Sequence, residues 1–158
     1  MLPLVIVDDS PEDALLAVRV LRQCKILNPI TTLPGGSECI SFLDGEGVYS
    51  TRALPCLLLL DLAMAPVSGV DVLSRCTSHF QNGLGSIAVM LSGLQDLNLV
   101  NLGYKLGATT FWMKPLRCED LLDLLNSLRG VAVDESKSGY TLSLECVKNQ
   151  RPELHLAS

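Results

Sequence analysis

The sequence lacks the features that would point to a nucleic acid or a membrane. It has 12 Lys and Arg against 17 Asp and Glu, a formal net charge of −5, and no basic cluster, so a nucleic-acid-binding surface is not expected. No apolar run approaches the roughly 18 residues that a membrane span requires. The Met1-Leu2-Pro3 start leads directly into strand-like sequence, which leaves no room for a signal peptide.

The sequence also lacks any metal-binding or redox motif among its cysteines. The six cysteines are scattered over positions 24, 39, 56, 76, 118 and 146, with no C-x-x-C pair and no histidine at zinc-ligand spacing. Such scatter is typical of reduced, mostly buried thiols rather than of disulfides or a zinc site. We therefore expect free cysteines and a cytoplasmic protein.

Strand-like and helix-like stretches alternate along most of the chain. Short apolar runs predict strands, and amphipathic stretches with capping signals predict the helices between them. Ser10 is the predicted N-cap of the first helix, and Asn28-Pro29 is its predicted end. The strands are expected at 4–7, 30–33, 56–60, 87–91 and 109–113, and the later helices at 37–43, 70–80, 96–106 and 118–129. Five such units with short links predict an α/β fold with a doubly wound parallel sheet and helices on both faces. The common strand order 2-1-3-4-5, which we expect here, would place strands 1 and 3 beside each other at the centre.

Polar residues follow four of the five predicted strands. Asp8 and Asp9 follow the first strand, Asp61 the third, Ser92 the fourth and Lys114 the fifth. Because the carboxyl ends of parallel strands meet at one edge of a sheet, these side chains are expected to converge. Clustered carboxylates repel one another unless a cation is present, and an oxygen-rich, incomplete shell suits Mg²⁺. The sequence therefore predicts a magnesium site at this edge.

The order and spacing of these residues over about 3–129 resemble the receiver domain of bacterial two-component response regulators. Met64 and Gly69 also stand where receivers place a Met and a Gly after the phosphorylated Asp. The resemblance implies a chemotaxis-regulator-like, flavodoxin-like fold. It also implies a protein that is not a free-standing enzyme.

The resemblance implies a role for each acidic residue and for one backbone group. Asp61 would be the phospho-acceptor and a metal ligand, forming an acyl phosphate. Asp9 would bind Mg²⁺ directly and Asp8 mainly through water, and Ala63 would contribute its backbone carbonyl. One departure from the receiver pattern is Ala65 in place of the usual Pro, which makes the metal affinity less certain.

The remaining site residues would respond to the phosphoryl group. Lys114 would neutralise its oxygens and the Ser92 hydroxyl would hydrogen-bond one of them. Ser92 would also act as a switch residue together with Phe111, which occupies the position of a Tyr in many receivers. Simple packing of Phe111 is an equally open alternative.

The implied function is that of a phosphorelay response regulator. The phosphoryl donor would be a sensor histidine kinase or a phosphotransfer protein, and the output a protein–protein contact, with a homodimer through the last two helices and the fifth strand. The 21–29 and 45–49 segments also resemble single-domain regulators that partner phytochrome-type kinases. Two alternatives are a phosphorylation-independent pseudo-receiver and a haloacid-dehalogenase-type phosphatase. The phosphatase requires an Asp where Ala63 stands.

The residues after Arg129 are too few for an output domain. We expect a receiver domain over 3–129 and a C-terminal tail or arm over 130–158. Apolar and polar residues alternate over 140–146, which indicates a strand or an extended arm with Leu142 and Leu144 on one face. A disordered tail is the alternative.

Overall fold

A computed structural model describes residues 1–81, 85–93 and 97–145. Its centre is a five-stranded parallel sheet in the order β2-β1-β3-β4-β5, which confirms the predicted fold class and strand order. The strands are β1 (Leu4–Val7), β2 (Ile30–Leu33), β3 (Leu57–Asp61), β4 (Ile87–Ser92) and β5 (Thr110–Met113). The central strands are buried on both faces, as expected for nearly continuous apolar runs.

Within the described ranges, five α-helices cover the sheet. They are α1 (Pro11–Gln23), α2 (Gly36–Asp44), α3 (Gly69–Arg75), α4 (Leu97–Lys105) and α5 (Cys118–Asn126). The Ser10 side chain caps α1 as predicted, accepting a hydrogen bond from the backbone N–H of Asp13. The predicted 70–80 helix is shorter, because a 3-10 turn at Thr77–His79 follows α3. The predicted start of α4 at Asp96 lies outside the described residues. No helix in the described ranges is long and apolar enough to span a membrane.

Two apolar cores lie on opposite faces of the sheet. The first face carries α1 and α5, and the second face carries α2, α3 and α4. Alternate β3 residues point to opposite faces, so Leu57 and Leu59 enter the first core while Leu58 and Leu60 enter the second. Each of these leucines is at most 1% exposed. The doubly wound arrangement therefore follows directly from a strand that is apolar on both sides.

An antiparallel hairpin extends the first face. Its strands are β6 (Val131–Glu135) and β7 (Tyr140–Leu144), so the alternating segment is a strand rather than a disordered tail as far as Leu144. The backbone of Tyr140 accepts a hydrogen bond from Leu27 (2.9 Å) and donates one to Lys25 (2.7 Å). Leu142 is fully buried in the first core, and Leu144 packs against it.

Asn28 holds this hairpin to the sheet. Its side-chain Nδ2 donates to the backbone carbonyls of Leu2 (2.6 Å) and Leu142 (2.8 Å), and its Oδ1 accepts from the N–H of Leu142 (2.8 Å). The prediction that Asn28 ends the first helix is wrong, since α1 ends at Gln23. Asn28 is instead a fully buried clamp, and its amide satisfies three backbone groups that water cannot reach.

A disulfide joins Cys24 and Cys118, and for this pair the prediction of free thiols is wrong. Cys24 directly follows α1 and Cys118 begins α5. Both helices pack on the first face, which brings the two Cα atoms within 5.7 Å, a separation that suits a disulfide. The two residues are 94 positions apart, so their spacing in the sequence carried no sign of the contact. The second-face cysteines Cys39, Cys56 and Cys76 are buried and free, as predicted.

Candidate functional site

The carboxyl ends of four strands bring the polar residues together. Asp61 and Ser92 are the last residues of β3 and β4, while Asp8 and Lys114 directly follow β1 and β5. Asp8, Asp61 and Ser92 are only 4–5% exposed. Three polar side chains buried at one edge of an apolar sheet require polar partners, because an unpaired buried charge is strongly unfavourable.

Lys114 is the main partner of the buried carboxylates. Its Nζ lies 2.6 Å from Asp8 Oδ2 and 3.2 Å from Asp61 Oδ2. A third carboxylate, Asp13 in the first turn of α1, lies 3.3 Å away. Asp13 is not among the site residues that the sequence pattern predicted. Its position one turn after the Asp8-Asp9 pair is the signal that could have placed it beside Lys114.

The pKa values of the ion pair reflect its burial. Burial raises the pKa of Asp8, and the hydrogen bond from Lys114 only partly opposes this shift. Burial by itself lowers the pKa of Lys114, but the hydrogen bond to Asp8 and the charge of Asp61 outweigh it, so the pKa is raised above its usual value. The ammonium group therefore stays charged between two carboxylates.

Backbone amides orient the other carboxylate oxygens. Asp61 Oδ1 accepts a hydrogen bond from the N–H of Ala63 (3.0 Å), and Asp9 Oδ2 accepts one from the N–H of Ala65 (3.3 Å). The loop after β3 thus contacts carboxylates that follow two different strands. Ala65, which replaces the usual Pro of the receiver pattern, makes this contact through an N–H that a proline would lack.

Three carboxylates are close enough to share a cation. One oxygen each from Asp8, Asp9 and Asp61 lies within 4.8 Å of the others, and Asp9 is exposed to solvent. Lys114 supplies a single positive charge to this group, which leaves net negative charge at the edge of the sheet. Carboxylate oxygens with room for water are the donor set that hard divalent cations such as Mg²⁺ and Mn²⁺ prefer, so the residues present fit a divalent metal.

The site is tightly packed on the side of Gly69 and open on the side of Gly93. A Cβ atom at Gly69 would lie 2.4 Å from the backbone oxygen of Asp61, so α3 packs directly against the end of β3. A Cβ at Gly93 would meet no atom within 4 Å, which leaves open space beside Ser92. Phe111 is half-buried against the second core, a contact that agrees with its packing alternative and does not test a switching role.

A cavity of about 260 Å³ adjoins the site on the first face. It lies between α1 and the loop after β5, and the ion pair of Asp8 and Lys114 forms its polar end. Its other lining residues are Ile6, Asp13, Leu16, Ala17, Leu91, Gly93, Pro115 and Leu116. The loop that carries Lys114 therefore borders empty space on the side of α1.

The sheet order and the acid-rich carboxyl edge define the class of protein as one with the chemotaxis-regulator-like, flavodoxin-like receiver fold. No protein-family model matches the chain. One of its relatives is nevertheless a response regulator. The chain is 23% identical over 125 residues to response regulator Rcp1 of Synechocystis sp.. The matched region covers 79% of this chain and 84% of Rcp1.

Solved structures of response regulators are also similar. The bacteriophytochrome response regulator RtBRR matches with a TM-score of 0.73 and 26% identity, over 87% of this chain and 84% of that chain. The Mn²⁺-bound form of Rcp1 matches with a TM-score of 0.63 and 26% identity, over 78% and 88%. These findings confirm the resemblance to response regulator receiver domains that the motifs predicted.

Proposed function

We propose that the chain is a phosphorelay response regulator that accepts a phosphoryl group on Asp61. The observation that carries this proposal is the environment of the Asp61 carboxylate. It ends the central strand, one oxygen is held by the Ala63 N–H, and the other lies 3.2 Å from the Lys114 ammonium. A nucleophilic carboxylate with a fixed orientation and an adjacent cation suits phosphoryl transfer.

The proposed donor is a phosphohistidine of a sensor histidine kinase or a phosphotransfer protein. An Asp61 oxygen forms a bond to phosphorus as the phosphorus–nitrogen bond breaks, and the imidazole leaves with the electron pair of that bond. Lys114 stabilises the negative charge on the transferred group, and the Ser92 hydroxyl donates a hydrogen bond to one of its oxygens. The open space beside Gly93 accommodates the group.

A divalent cation, which we propose is Mg²⁺, completes the site. Asp8, Asp9 and Asp61 would hold it together with the backbone carbonyl of Ala63, and it would neutralise charge on the phosphoryl oxygens. The three carboxylates lie within reach of one such ion. The Mn²⁺-bound form of the similar protein Rcp1 supports a divalent metal in this fold.

The proposed output is a phosphorylation-dependent contact with another protein. Ser92 precedes α4 and Lys114 precedes α5, so a phosphoryl group that draws on both side chains shifts the start of each helix. The α4 surface exposes Leu97 (72%) and Leu102 (42%), which supports a homodimer through α4, β5 and α5. The names of its similar proteins support a phytochrome-type kinase as the partner. We place the protein in the cytoplasm and expect no free-standing enzymatic activity.

Acetyl phosphate with Mg²⁺ tests the phospho-acceptor by intact mass spectrometry. We expect one added phosphoryl mass on the native protein, none on Asp61→Asn, and normal labelling of Asp123→Asn, an exposed control on α5. Labelling of Asp61→Asn at the native level would contradict the assignment. Absence of labelling in the native protein would instead support the pseudo-receiver. Sedimentation of the labelled and unlabelled samples tests the proposed homodimer.

A monomeric mass in both samples would exclude it.

A further inference from the structure

We propose that Cys24 and Cys118 are a reversible redox pair that controls the mobility of the loop between β5 and α5, and through it the phosphorylation rate of the site. The redox pair and the loop mobility stand on the geometry alone. The effect on phosphorylation rests on the function proposed above.

The disulfide anchors one end of the loop that carries Lys114. This loop spans residues 114–117, between the end of β5 and the start of α5. At one end, Lys114 binds Asp8 and Asp61. At the other end, Cys118 is bonded covalently to Cys24. The position of the catalytic ammonium is thus fixed from both sides in the oxidised protein.

The loop has room to move when the covalent anchor is opened. Pro115 and Leu116 line the cavity of about 260 Å³ that separates the loop from Leu16 and Ala17 of α1. This cavity opens to solvent beside the exposed Pro115 and Leu16, so the loop meets little steric resistance on that side. Reduction therefore permits a shift of Lys114 that the disulfide prevents.

A redox partner can reach the pair through Cys118, which is exposed, whereas Cys24 and the other described cysteines are buried. Cys118 occupies the first position of α5, so an attacking thiolate can approach its sulfur from solvent. Cys56 and Cys76 are buried, and burial raises the pKa of each thiol to about 11. Burial also raises the pKa of Cys39. Thiol exchange is therefore directed to the pair on the first face.

The packing of α5 lets the fold survive reduction. Leu121 and Leu125 of α5 are at most 1% exposed, as is Leu21 of α1, and all three belong to the first core. Opening the disulfide leaves these contacts in place. The change is thus confined to the first turn of α5 and the loop before it.

The reductant is a dithiol, either a small molecule or a protein with two neighbouring thiols. One of its thiolates attacks the Cys118 sulfur, the bond between the two cysteines breaks, and Cys24 leaves as a thiolate. The second thiol of the reductant then displaces Cys118 and closes a disulfide in the reductant. Two electrons pass to the protein, and a disulfide oxidant reverses the reaction.

Redox titration of the full chain tests the pair itself. The protein is equilibrated in buffers of reduced and oxidised dithiothreitol, and its thiols are counted after acid quenching in denaturant. We expect the fully reduced protein to show two more thiols per chain than the oxidised protein. The titration curve obtained by reducing the oxidised protein should match the one obtained by oxidising the reduced protein. An equal count under all buffers, or a bond that the dithiol does not open in the folded protein, would overturn the proposal.

Hydrogen exchange measured by mass spectrometry tests the loop. We expect amides in 114–121 to exchange at least about tenfold faster after reduction, while those of β3 stay unchanged. The Cys24→Ser/Cys118→Ser variant is the control, and reductant should not alter its exchange. Equal exchange over 114–121 in the oxidised and reduced native protein would refute control of the loop.

Acetyl phosphate labelling of the two redox forms tests the link to function. Because Lys114 is less well positioned in the reduced form, we expect its labelling to be at least about threefold slower. Equal rates would refute the link. If neither form is labelled, the proposed function fails, while the thiol count and the exchange data still decide the redox pair and its effect on the loop.

Discussion

The two faces of the sheet bury similar apolar cores but are held together differently. On the first face, α1 and α5 are joined by a disulfide, and Asn28 clamps a hairpin beside them. On the second face, the described parts of α2, α3 and α4 pack through apolar side chains, and three buried thiols lie in the same core. The first face thus carries covalent and polar constraints in addition to packing.

The different constraints on the two faces affect the site, because two of the site residues precede helices on the first face and two precede helices on the second. Asp8 and Lys114 lead into α1 and α5 on the first face, whereas Asp61 and Ser92 lead into α3 and α4 on the second. The helices after Asp8 and Lys114 are tied to each other, and those after Asp61 and Ser92 are held by packing. Movement on phosphorylation is therefore expected mainly on the second face while the disulfide is intact.

Removing the Asn28 clamp should produce the largest loss of stability. The Asn28→Ala variant removes three hydrogen bonds. It leaves the Leu2 carbonyl and the Leu142 N–H buried without this partner, while the Leu142 carbonyl keeps its bond from the Leu2 N–H, so we expect a decrease of about 4 kcal/mol in the free energy of unfolding. Urea denaturation measures it. Asn101→Ala, at an exposed position of α4, should change the stability by no more than about 0.5 kcal/mol. Similar small effects for both variants would show that the hairpin contributes little to the first face.

Reducing the disulfide should have the next largest effect on stability. It closes a loop of 94 residues, and its loss releases that constraint on the unfolded chain, so we expect a decrease of about 3 kcal/mol. Denaturation with and without a dithiol measures the difference. The Cys24→Ser/Cys118→Ser variant should have the same free energy of unfolding as the reduced protein, and the dithiol should not change it. Equal free energies of unfolding for the two redox forms would show that the disulfide does not stabilise the first face relative to the second.

The helix caps should give the smallest effect, with the larger loss on the second face. Ser68 forms a reciprocal capping box with Asp71 at the start of α3, whereas Ser10 makes one longer bond of 3.3 Å at the start of α1. We expect Ser68→Ala to lower stability by about 1 kcal/mol and Ser10→Ala by about 0.5 kcal/mol. Urea denaturation of both variants at neutral pH tests this order, which a larger loss for Ser10→Ala would contradict.

The effect of the Ser68 cap should also depend on pH. Hydrogen bonds from the backbone N–H and hydroxyl of Ser68 lower the pKa of Asp71 below 3.8. The carboxylate therefore contributes stability above pH 3.8 and loses it as the pH falls through its lower folded-state pKa. The stability difference between the native protein and Ser68→Ala should narrow at those acidic values. A constant difference would show that Asp71 takes no part in the cap.

Local sequence signals predicted the elements around the site well. Continuous apolar runs identified the strands, since a strand covered on both faces needs apolar side chains at every position. Ser10 with Pro11 marked the start of α1 through chemistry that acts within one turn. The convergence of Asp8, Asp61, Ser92 and Lys114 followed from parallel strands alone, although the roles assigned to them remain predictions.

The sequence by itself determined the α/β fold and the edge at which the polar residues meet, because these follow from periodicity and from the handedness of short connections. Its motifs also indicated the strand order, through the resemblance to receiver domains. Only the tertiary structure decided that Cys24 meets Cys118, that Asn28 clamps the hairpin, and that Asp13 reaches Lys114. All three join positions about a hundred residues apart. Such contacts depend on how helices and loops pack in space, and no local pattern of residue types encodes that packing.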